Sequence, residues 1–302
     1  MYGEKRMKRI LVVISALLLL ISCASREKSP AAPIGNMTYA QIDSLLMVNA
    51  KMNYSITDRM RLYSEMFLGT PYSWTATGDG PYALLENYPL VNFDSTNCMV
   101  YTEHVLALSI SDSWDNFFNN LQQIRYKNGI IGMRTRNHYT MADWLPENRW
   151  LLEDAARKVG GEYTRSMTRT ISHENFFTQK GIRDLRYVKL DRRITVEYIP
   201  MQDLNKVKAN FRNGDIVAML FANRDDIFSA HMLMIYEKGG ELYFREASTS
   251  TYSTFETPFD EWLLTKKDSK RYAGLAVMRV RDEYNKPNAV VLPWDIPLLK
   301  NK

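Results

Sequence analysis

Residues 93–108 read FDSTNCMVYTEHVLAL and contain Cys98, one of only two cysteines in a chain of 302 residues. The four residues before Cys98 are all types that favour the N-cap of a helix, namely Asp94, Ser95, Thr96 and Asn97. After the cysteine, apolar residues recur at helical spacing, at Tyr101, Val105 and Leu108. The pattern predicts a buried helix with Cys98 in its first turn.

The predicted position of Cys98 suits a nucleophile, because the free N–H groups and the dipole of a helix N-terminus favour a thiolate over a thiol. The same N–H groups can stabilise an oxyanion that forms on an attacked carbonyl group. The alternative interpretation is a compact buried residue, since free cysteines often pack in a core as small hydrophobic side chains.

The first part of the chain has the features of a bacterial export signal. Residues 5–9 are mostly basic, and residues 10–21 are apolar apart from Ser15, which is too short a run for a membrane-spanning helix. The sequence Leu-Ile-Ser-Cys that ends at Cys23 resembles a lipobox, whose cysteine becomes the lipidated first residue of the mature protein. We therefore predict a signal peptide at residues 1–22 and a flexible tether at residues 23–37; a plain signal peptide is the alternative.

A lipidated Cys23 would anchor the protein to a membrane, because several acyl chains bind a bilayer stably where one chain does not. The expected location is the bacterial cell envelope, on the periplasmic side and at the outer membrane. Cys98 would then be the only thiol of the mature chain, with no partner for an intramolecular disulfide.

Composition favours an ordinary globular domain, predicted over residues 38–302. Hydrophobic residues make up 45% of the chain and aromatic residues 12%, which suffices for a real core. The formal charge is +5, and much of it falls in the predicted signal, so the mature chain is nearly neutral. This balance argues against a nucleic acid partner, which would require a basic surface.

Helical patterns dominate the front of the chain and strand patterns the back. Apolar residues recur at helical spacing in residues 38–50, 58–67, 112–126 and 148–159. After residue 186, short apolar or alternating segments occur at residues 216–221, 232–236, 242–245 and 275–280. Gly239 and Gly240 lie between the second and third of these segments and predict a hairpin turn. The order predicts an α+β fold, with N-terminal helices packed on an antiparallel sheet.

A base that takes the thiol proton would most often be a histidine, and the chain has four histidines. His104 lies six residues after Cys98 and therefore on another face of the predicted helix. His173 stands in the polar stretch TISHENF, which predicts a surface position, and His231 stands at the start of the predicted strand HMLMIYE. The four are scattered without metal-ligand spacing, so we expect no metal and no other cofactor.

Five motifs along the chain occur in a recognisable order: LGTPYSW at residues 68–74, TNC at 96–98, NGDIVAMLF at 213–221, AHMLMIY at 230–236 and YFREAS at 243–248. This order resembles the NlpC-type superfamily of papain-like cell-wall cysteine hydrolases. Three further stretches resemble its branch of lipoproteins similar to N-acetylmuramoyl-L-alanine amidases: C-x-x-x-x-E from Cys98 to Glu103, IRYKNG at 124–129 and RNHYTMADW at 136–144. The resemblance spans about residues 60 to 280 and implies a papain-like fold.

The resemblance implies Cys98 as nucleophile, His231 as general base and Tyr72 beside the cysteine. The third catalytic position falls on Glu246, where related proteins mostly carry His, Asn or Gln. A carboxylate there could accept the Nδ1 proton of the histidine, as carboxylates do in other triads, or it could face solvent. Leu233 replaces a glycine that is usual in the superfamily and is expected to tighten the packing behind the histidine.

A second set of residues is expected to bind substrate. The motifs of the amidase-like branch place Glu103, Arg136, His138 and Tyr139 in this set, and the LGTPYSW segment adds Tyr72 and Trp74. Aromatic and arginine side chains can stack on a sugar or hold a carboxylate, and cell-wall fragments offer both. Trp144 is expected to anchor a loop by packing. Residues 77–91 are predicted to be a loop beside the cleft, and residues 287–302 an extended surface segment.

The sequence and the resemblance together imply a cysteine-dependent N-acetylmuramoyl-L-alanine amidase that acts on peptidoglycan fragments. An endopeptidase that cuts between D-glutamate and the diamino acid is the closest alternative, because it uses the same chemistry. A non-catalytic wall-binding lipoprotein and an acyl transferase are the other two functions considered.

Overall fold

The helices of the chain fall mainly before residue 180 and the strands mainly after residue 150. The computed structural model describes residues 32–301; the predicted signal peptide, Cys23 and the tether up to residue 31 lie outside the described residues. The α-helices are α1 (Tyr39–Lys51), α2 (Ile56–Glu65), α3 (Cys98–Ser109), α4 (Trp114–Arg125), α5 (Leu145–Glu147), α6 (Ala156–Gly160), α7 (His173–Gln179), α8 (Phe259–Lys266) and α9 (Ile296–Leu299). A π-helical turn, Thr140–Trp144, precedes α5, and a 3-10 segment, Met201–Asn210, precedes the central strands.

Eight antiparallel strands form one sheet. They are β1 (Leu152–Asp154), β2 (Arg165–Ile171), β3 (Arg192–Pro200), β4 (Ile216–Phe221), β5 (Ser229–Lys238), β6 (Glu241–Ser248), β7 (Ser253–Pro258) and β8 (Tyr272–Val280). The order across the sheet is β2-β3-β8-β4-β5-β6-β7, and β1 pairs with the end of β8. The predicted α+β class is thereby confirmed.

The sheet has apolar side chains on both faces. One face packs against α3, and its buried residues include Met232, Met234 and Ala218. The opposite face packs against α8 and includes Leu233, Ile235 and Val217. Because side chains alternate along a strand, both faces of the sheet are buried at β4, which is wholly apolar, and at the central apolar part of β5, residues 232–236.

Local signals explain the elements that the sequence predicts correctly. The helix predicted at residues 38–50 is α1, where Thr38 and Gln41 form a reciprocal capping box. The helix predicted at residues 112–126 is α4, capped by Ser113. Gly239 and Gly240 both have positive φ, as the two-residue turn between β5 and β6 requires.

The helix predicted at residues 148–159 is wrong. Residues Leu152–Asp154 pair with β8 as strand β1, and only Ala156–Gly160 are helical. Pairing with the sheet overrides the local helical pattern here. Strands therefore begin before residue 186, contrary to the expectation.

The predicted surface position of the C-terminal segment is also wrong in part. Val291 and Ile296 are buried in the core, and the Val291 carbonyl oxygen accepts a hydrogen bond from Asn120 at 2.9 Å. The segment also contains the short helix α9. At the other end, Ile34 lies within the predicted tether but is fully buried, and its N–H donates to the Met66 carbonyl oxygen at 2.9 Å.

Among residues 32–301, no helix has both the length and the apolar character that crossing a bilayer requires.

The NGDIVAMLF motif contributes a buried ion pair that ties β4 to β8. Asp215 is fully buried, and its two carboxylate oxygens accept hydrogen bonds from Nε and Nη2 of Arg279, each at 2.7 Å. The arginine side chain is itself only 8% exposed. Removal of the carboxylate would leave a buried guanidinium without its counter-charge.

We expect Asp215→Ala to lower the free energy of unfolding by about 3–5 kcal/mol, because breaking one partner of a buried pair leaves the other uncompensated. Urea unfolding of the two proteins measures the difference. Asp282→Ala is the matched control: Asp282 pairs with Arg212 at the surface, and its loss should cost less than about 1 kcal/mol. Equal destabilisation by the two substitutions would contradict the assignment.

Candidate active site

Cys98 lies at the N-terminus of α3, where the sequence predicted it. The side chain of Asn97 caps the helix and accepts hydrogen bonds from the N–H groups of Met99 at 3.1 Å and Val100 at 3.0 Å. All residues of α3 from Val100 onward are buried, so packing fixes the helix axis. Cys98 itself is half-buried and faces a cavity.

A short segment before the helix holds Tyr72 beside Cys98. The Tyr72 N–H donates to the Tyr252 carbonyl oxygen at 2.8 Å, and the Ser73 N–H donates to the Thr96 carbonyl oxygen at 2.8 Å. These bonds join the LGTPYSW segment to both the sheet and the start of α3. The Tyr72 ring packs edge-on against Trp74 at a centroid distance of 5.3 Å.

His231 and Glu246 come from the neighbouring strands β5 and β6. Nε2 of His231 lies 2.7 Å from Oε2 of Glu246, and both side chains are largely buried. Oε1 of Glu246 accepts a further hydrogen bond from Nε1 of Trp262 on α8, at 3.2 Å. The carboxylate therefore points inward. The expectation that it would accept the proton on Nδ1 is corrected: Nε2 is the nitrogen that meets the carboxylate, and Nδ1 is left for Cys98.

The cysteine and the histidine perturb each other. Burial alone would raise the pKa of the Cys98 thiol, but the charge of His231 and a hydrogen bond from it, together with the N–H groups of Met232 and Met99, lower that pKa. Burial alone would lower the pKa of His231, but the Cys98 thiolate and then Glu246 raise it to about 10. Both shifts favour a thiolate–imidazolium pair, which titrates as a unit.

Tyr72 responds to the same charge. Burial, and to a smaller extent the negative charge of Cys98, raises the pKa of the Tyr72 phenol to about 12. The hydroxyl group therefore stays protonated at neutral pH and can donate a hydrogen bond to a group bound beside Cys98.

The cavity in front of Cys98 has a volume of about 530 Å³. Besides Cys98, His231, Glu246, Tyr72 and Trp74, its walls come from β6, β7, α8 and the start of β8: Ser248, Thr249, Ser250, Phe255, Thr257, Trp262, Thr265, Lys266, Arg271 and Tyr272, with Met219 and Ala230. Of the residues predicted to bind substrate, Tyr72 and Trp74 line this cavity. Trp74 is 77% exposed and offers a flat apolar face to a ligand.

No motif in the sequence indicates the wall formed by α8 and β8. Trp262, Lys266 and Arg271 lie in no motif, and chain folding alone brings them to the cleft. The only signal was indirect: a carboxylate at position 246 needs buried donors, and an indole N–H is one of the few that an apolar helix face can supply.

Glu103 and Arg136 lie in ion pairs and not in the cavity. Oε2 of Glu103 accepts a hydrogen bond from Nε of Arg125 at 2.8 Å, and both side chains are almost fully buried. Arg136 binds the carboxylates of Asp79 and Glu86. These contacts hold residues 77–91 in place, so the geometry gives the two residues a structural task and does not support their predicted contact with substrate.

His138 and Tyr139 belong to an aromatic cluster with Phe176. Nε2 of His138 lies 2.7 Å from the Met133 carbonyl oxygen, and its ring packs on Phe176 at a centroid distance of 4.4 Å. Burial lowers the pKa of His138 to about 4. The hydroxyl of the next residue, Thr140, reaches Sδ of Met232 at 3.6 Å, so this cluster adjoins β5 without lining the cavity.

The predicted surface position of His173 is wrong. The residue is only 3% exposed, and its Nε2 lies 2.7 Å from Oδ2 of Asp143, a carboxylate that also binds Lys189 and Arg192. Burying an ionised aspartate demands such partners, and the polar TISHENF sequence supplies one of them. Trp144 is fully buried, as expected for an anchor. His104, on the far side of α3, is buried against Phe93 and Phe117.

A larger cavity of about 850 Å³ lies between residues 79–90 and residues 131–134. Its lining is mainly apolar and includes neither Cys98 nor His231. Across residues 32–301, no group of three or more His, Cys, Asp or Glu side chains is placed to hold a metal ion.

Several solved structures share this fold. A Legionella pneumophila protein of family DUF1460 is 22% identical, with a TM-score of 0.73, covering 83% of this chain and 96% of that one. An N-acetylmuramoyl-L-alanine amidase from Bacteroides uniformis is 25% identical, with a TM-score of 0.58, covering 75% of this chain and 99% of the amidase. No curated protein matches the chain.

The sequence also matches a family model directly. The model is described as AmiA-like, N-acetylmuramoyl-L-alanine amidase-like, and it covers residues 62–270. This range is well over half of the chain and contains Cys98, His231 and Glu246. The protein therefore belongs to the AmiA-like, N-acetylmuramoyl-L-alanine amidase-like family.

Proposed function

We propose that this protein is a cysteine-dependent amidase that cleaves the bond between the muramic lactyl group and L-alanine in peptidoglycan fragments. The observation that carries the proposal is the alignment of Cys98, His231 and Glu246 along one wall of an open cleft, at the start of a capped helix. Membership of an amidase-like family supports the reaction class. The same alignment supports a place in the NlpC-type, papain-like superfamily.

The first half of the reaction forms a thioester. The Cys98 thiolate attacks the lactyl carbonyl carbon, and the electron pair of the C=O bond moves to the oxygen. The N–H of Cys98, which the Asn97 cap does not take, and the Tyr72 hydroxyl are the donors that we assign to this oxyanion. When the oxyanion collapses, the C–N bond breaks, and the imidazolium of His231 transfers its proton to the leaving alanine nitrogen. The peptide departs with a free amine.

The second half releases the sugar. Neutral His231 takes a proton from water, whose oxygen attacks the thioester carbonyl. The C–S bond then breaks, which regenerates the thiolate beside the imidazolium and frees the lactyl carboxylic acid, whose proton passes to solvent. Glu246 keeps the ring oriented throughout and stabilises its positive charge, a task that needs the buried position given to it by Trp262.

We propose that Cys23 carries lipid and that the enzyme works on the periplasmic side of the outer membrane. Support comes from the basic, apolar and Leu-Ile-Ser-Cys order of residues 5–23. The cell-wall substrate implied by the family is found in the same compartment.

The reaction is tested with purified full-length protein in detergent and a defined set of soluble muropeptides, read by mass spectrometry. We expect wild type to release free peptide and intact disaccharide, and Cys98→Ala to release neither. Cys23→Ser removes the other cysteine and should retain turnover. Release of a sugar that still bears L-Ala–D-Glu would instead identify an endopeptidase, and binding without turnover in all variants would indicate a wall-binding protein.

The pH dependence of kcat/KM should be bell-shaped. Activity requires the thiolate, so it rises through the lowered pKa of Cys98; it also requires the imidazolium, so it falls as pH passes the raised pKa of His231, about 10. Glu246→Gln removes a charge that raises the pKa of His231. Its basic limb should therefore move to lower pH, with kcat/KM reduced by at least ~10-fold.

Glu241→Gln is the matched control for this profile, because Glu241 begins the same strand but is exposed at the hairpin end. Its profile should superimpose on that of wild type. An unchanged basic limb in Glu246→Gln would show that the carboxylate does not act on the histidine.

A further inference from the structure

The cleft in front of Cys98 is lined by positively charged side chains that have no role in the proposed reaction. Three charged side chains line it besides the catalytic pair: Glu246, Lys266 and Arg271. Both oxygens of Glu246 are occupied, one by His231 and the other by Trp262. The two cations therefore remain as the charge that a bound molecule would meet.

Lys266 is placed by the helix that supports the carboxylate. It lies one turn after Trp262 at the end of α8, so the two side chains share a face of the helix and both reach the cavity. Within residues 32–301, the Lys266 ammonium forms no ion pair, although many surface lysines of this protein do, such as Lys208 with Asp260.

Arg271 is exposed and lies over aromatic rings, not beside a carboxylate. Its guanidinium lies 5.5 Å from the ring centroid of Phe221 and 5.5 Å from that of Tyr272. Stacking on aromatic faces orients a guanidinium and leaves its N–H groups available at the edge. In contrast to the paired Arg245 and Arg279, Arg271 has no acidic partner in the described part of the chain.

A neutral donor lies in the same cavity. Ser248, Ser250 and Thr265 belong to its lining, but the Thr265 hydroxyl donates to the Trp262 carbonyl oxygen at 2.7 Å and the Ser250 hydroxyl donates to Oγ of Ser248 at 3.1 Å. The Ser248 hydroxyl therefore remains as the available donor. A pair of cations with a hydroxyl donor, and with no carboxylate in the lining other than the occupied Glu246, is the chemistry that recognises an anion. The anion-binding task that the sequence analysis gave to Arg136 is absent there, since Asp79 and Glu86 already occupy that side chain.

We propose that Lys266 and Arg271 form a carboxylate-binding wall that selects substrates by the free carboxylates of their peptide part. This inference rests on the proposed function for the identity of the substrate. It adds that the site prefers an acidic peptide to a neutral one. The wall acts on binding and orientation, while the thiolate and the imidazolium perform the reaction.

The test compares two muropeptides that differ only in their peptide carboxylates, free in one and amidated in the other. Full-length wild type, Lys266→Gln/Arg271→Gln and the control Lys267→Gln are assayed on both. Lys267 is an exposed neighbour that does not line the cavity. We expect the double variant to lose at least about tenfold in kcat/KM on the free acid, mainly through KM, and little on the amide, because charge-assisted bonds are lost only with the former. The control should match wild type on both substrates.

Equal losses of kcat/KM on the two substrates, or no loss on either, would overturn the proposed carboxylate-binding role of Lys266 and Arg271. A second measurement tests the wall even if the protein does not cleave the amide bond. Calorimetry measures binding of the two muropeptides to Cys98→Ala, with and without the Lys266→Gln/Arg271→Gln changes. If wild type turns over neither substrate, a preference of Cys98→Ala for the free acid that the double change abolishes would still establish the wall. Absence of that preference overturns it, whether or not the enzyme cleaves the amide bond. Thermal unfolding of the double variant shows whether it is folded.

Discussion

The pairing of a positively charged His231 with Cys98 and Glu246 is the interaction on which the rest of the site depends. An imidazolium in a largely buried position is unfavourable by itself, because burial penalises the charged form. Two negative groups from different elements offset that penalty: Cys98 at the N-terminus of α3, and Glu246 on β6. The arrangement holds only because the helix and the sheet pack at a fixed distance. A buried α3 and a sheet that is apolar on both faces provide that rigidity.

A carboxylate as the third group has an electrostatic consequence for the whole cleft. With the thiolate and imidazolium in place, Glu246 gives the three groups together a net negative charge. A neutral amide at that position would hold the ring without adding charge. Lys266 and Arg271 line the same cavity and carry charge of the opposite sign, which is the basis of the proposed preference for an anionic substrate. The choice of glutamate and the presence of the cationic wall are thus consistent with each other.

The sequence predicted the parts of the site that depend on local signals. Asn97 caps α3 because a short polar side chain precedes an apolar helical pattern, and Gly239 with Gly240 turns the chain between β5 and β6 because both need positive φ. The order of motifs pointed to Cys98, His231 and Glu246, which the structure brings together. The helix cap and the hairpin turn follow from residues close in sequence, whereas the three site residues follow from the resemblance to a family.

Predictions failed where distant contacts decide the outcome. Pairing with β8 turns residues 152–154 into a strand, and Asp143 draws His173 into the interior. The wall of Trp262, Lys266 and Arg271 forms only when α8 folds over β6, so no spacing in the sequence reveals it. The ring nitrogen that meets Glu246 likewise depends on the relative position of two strands and not on any motif.

The most direct test of the ion pair is a pH titration of the Cys98 thiolate by its ultraviolet absorbance, in a Cys23→Ser background so that one thiol is observed. We expect Cys98 to ionise below its ordinary range in the wild-type site, because His231 carries the compensating charge. In His231→Ala the same thiol should ionise at a higher pH than in wild type, because only the N–H groups of Met232 and Met99 then oppose the effect of burial. Identical titration curves for the two proteins would show that His231 does not stabilise the thiolate.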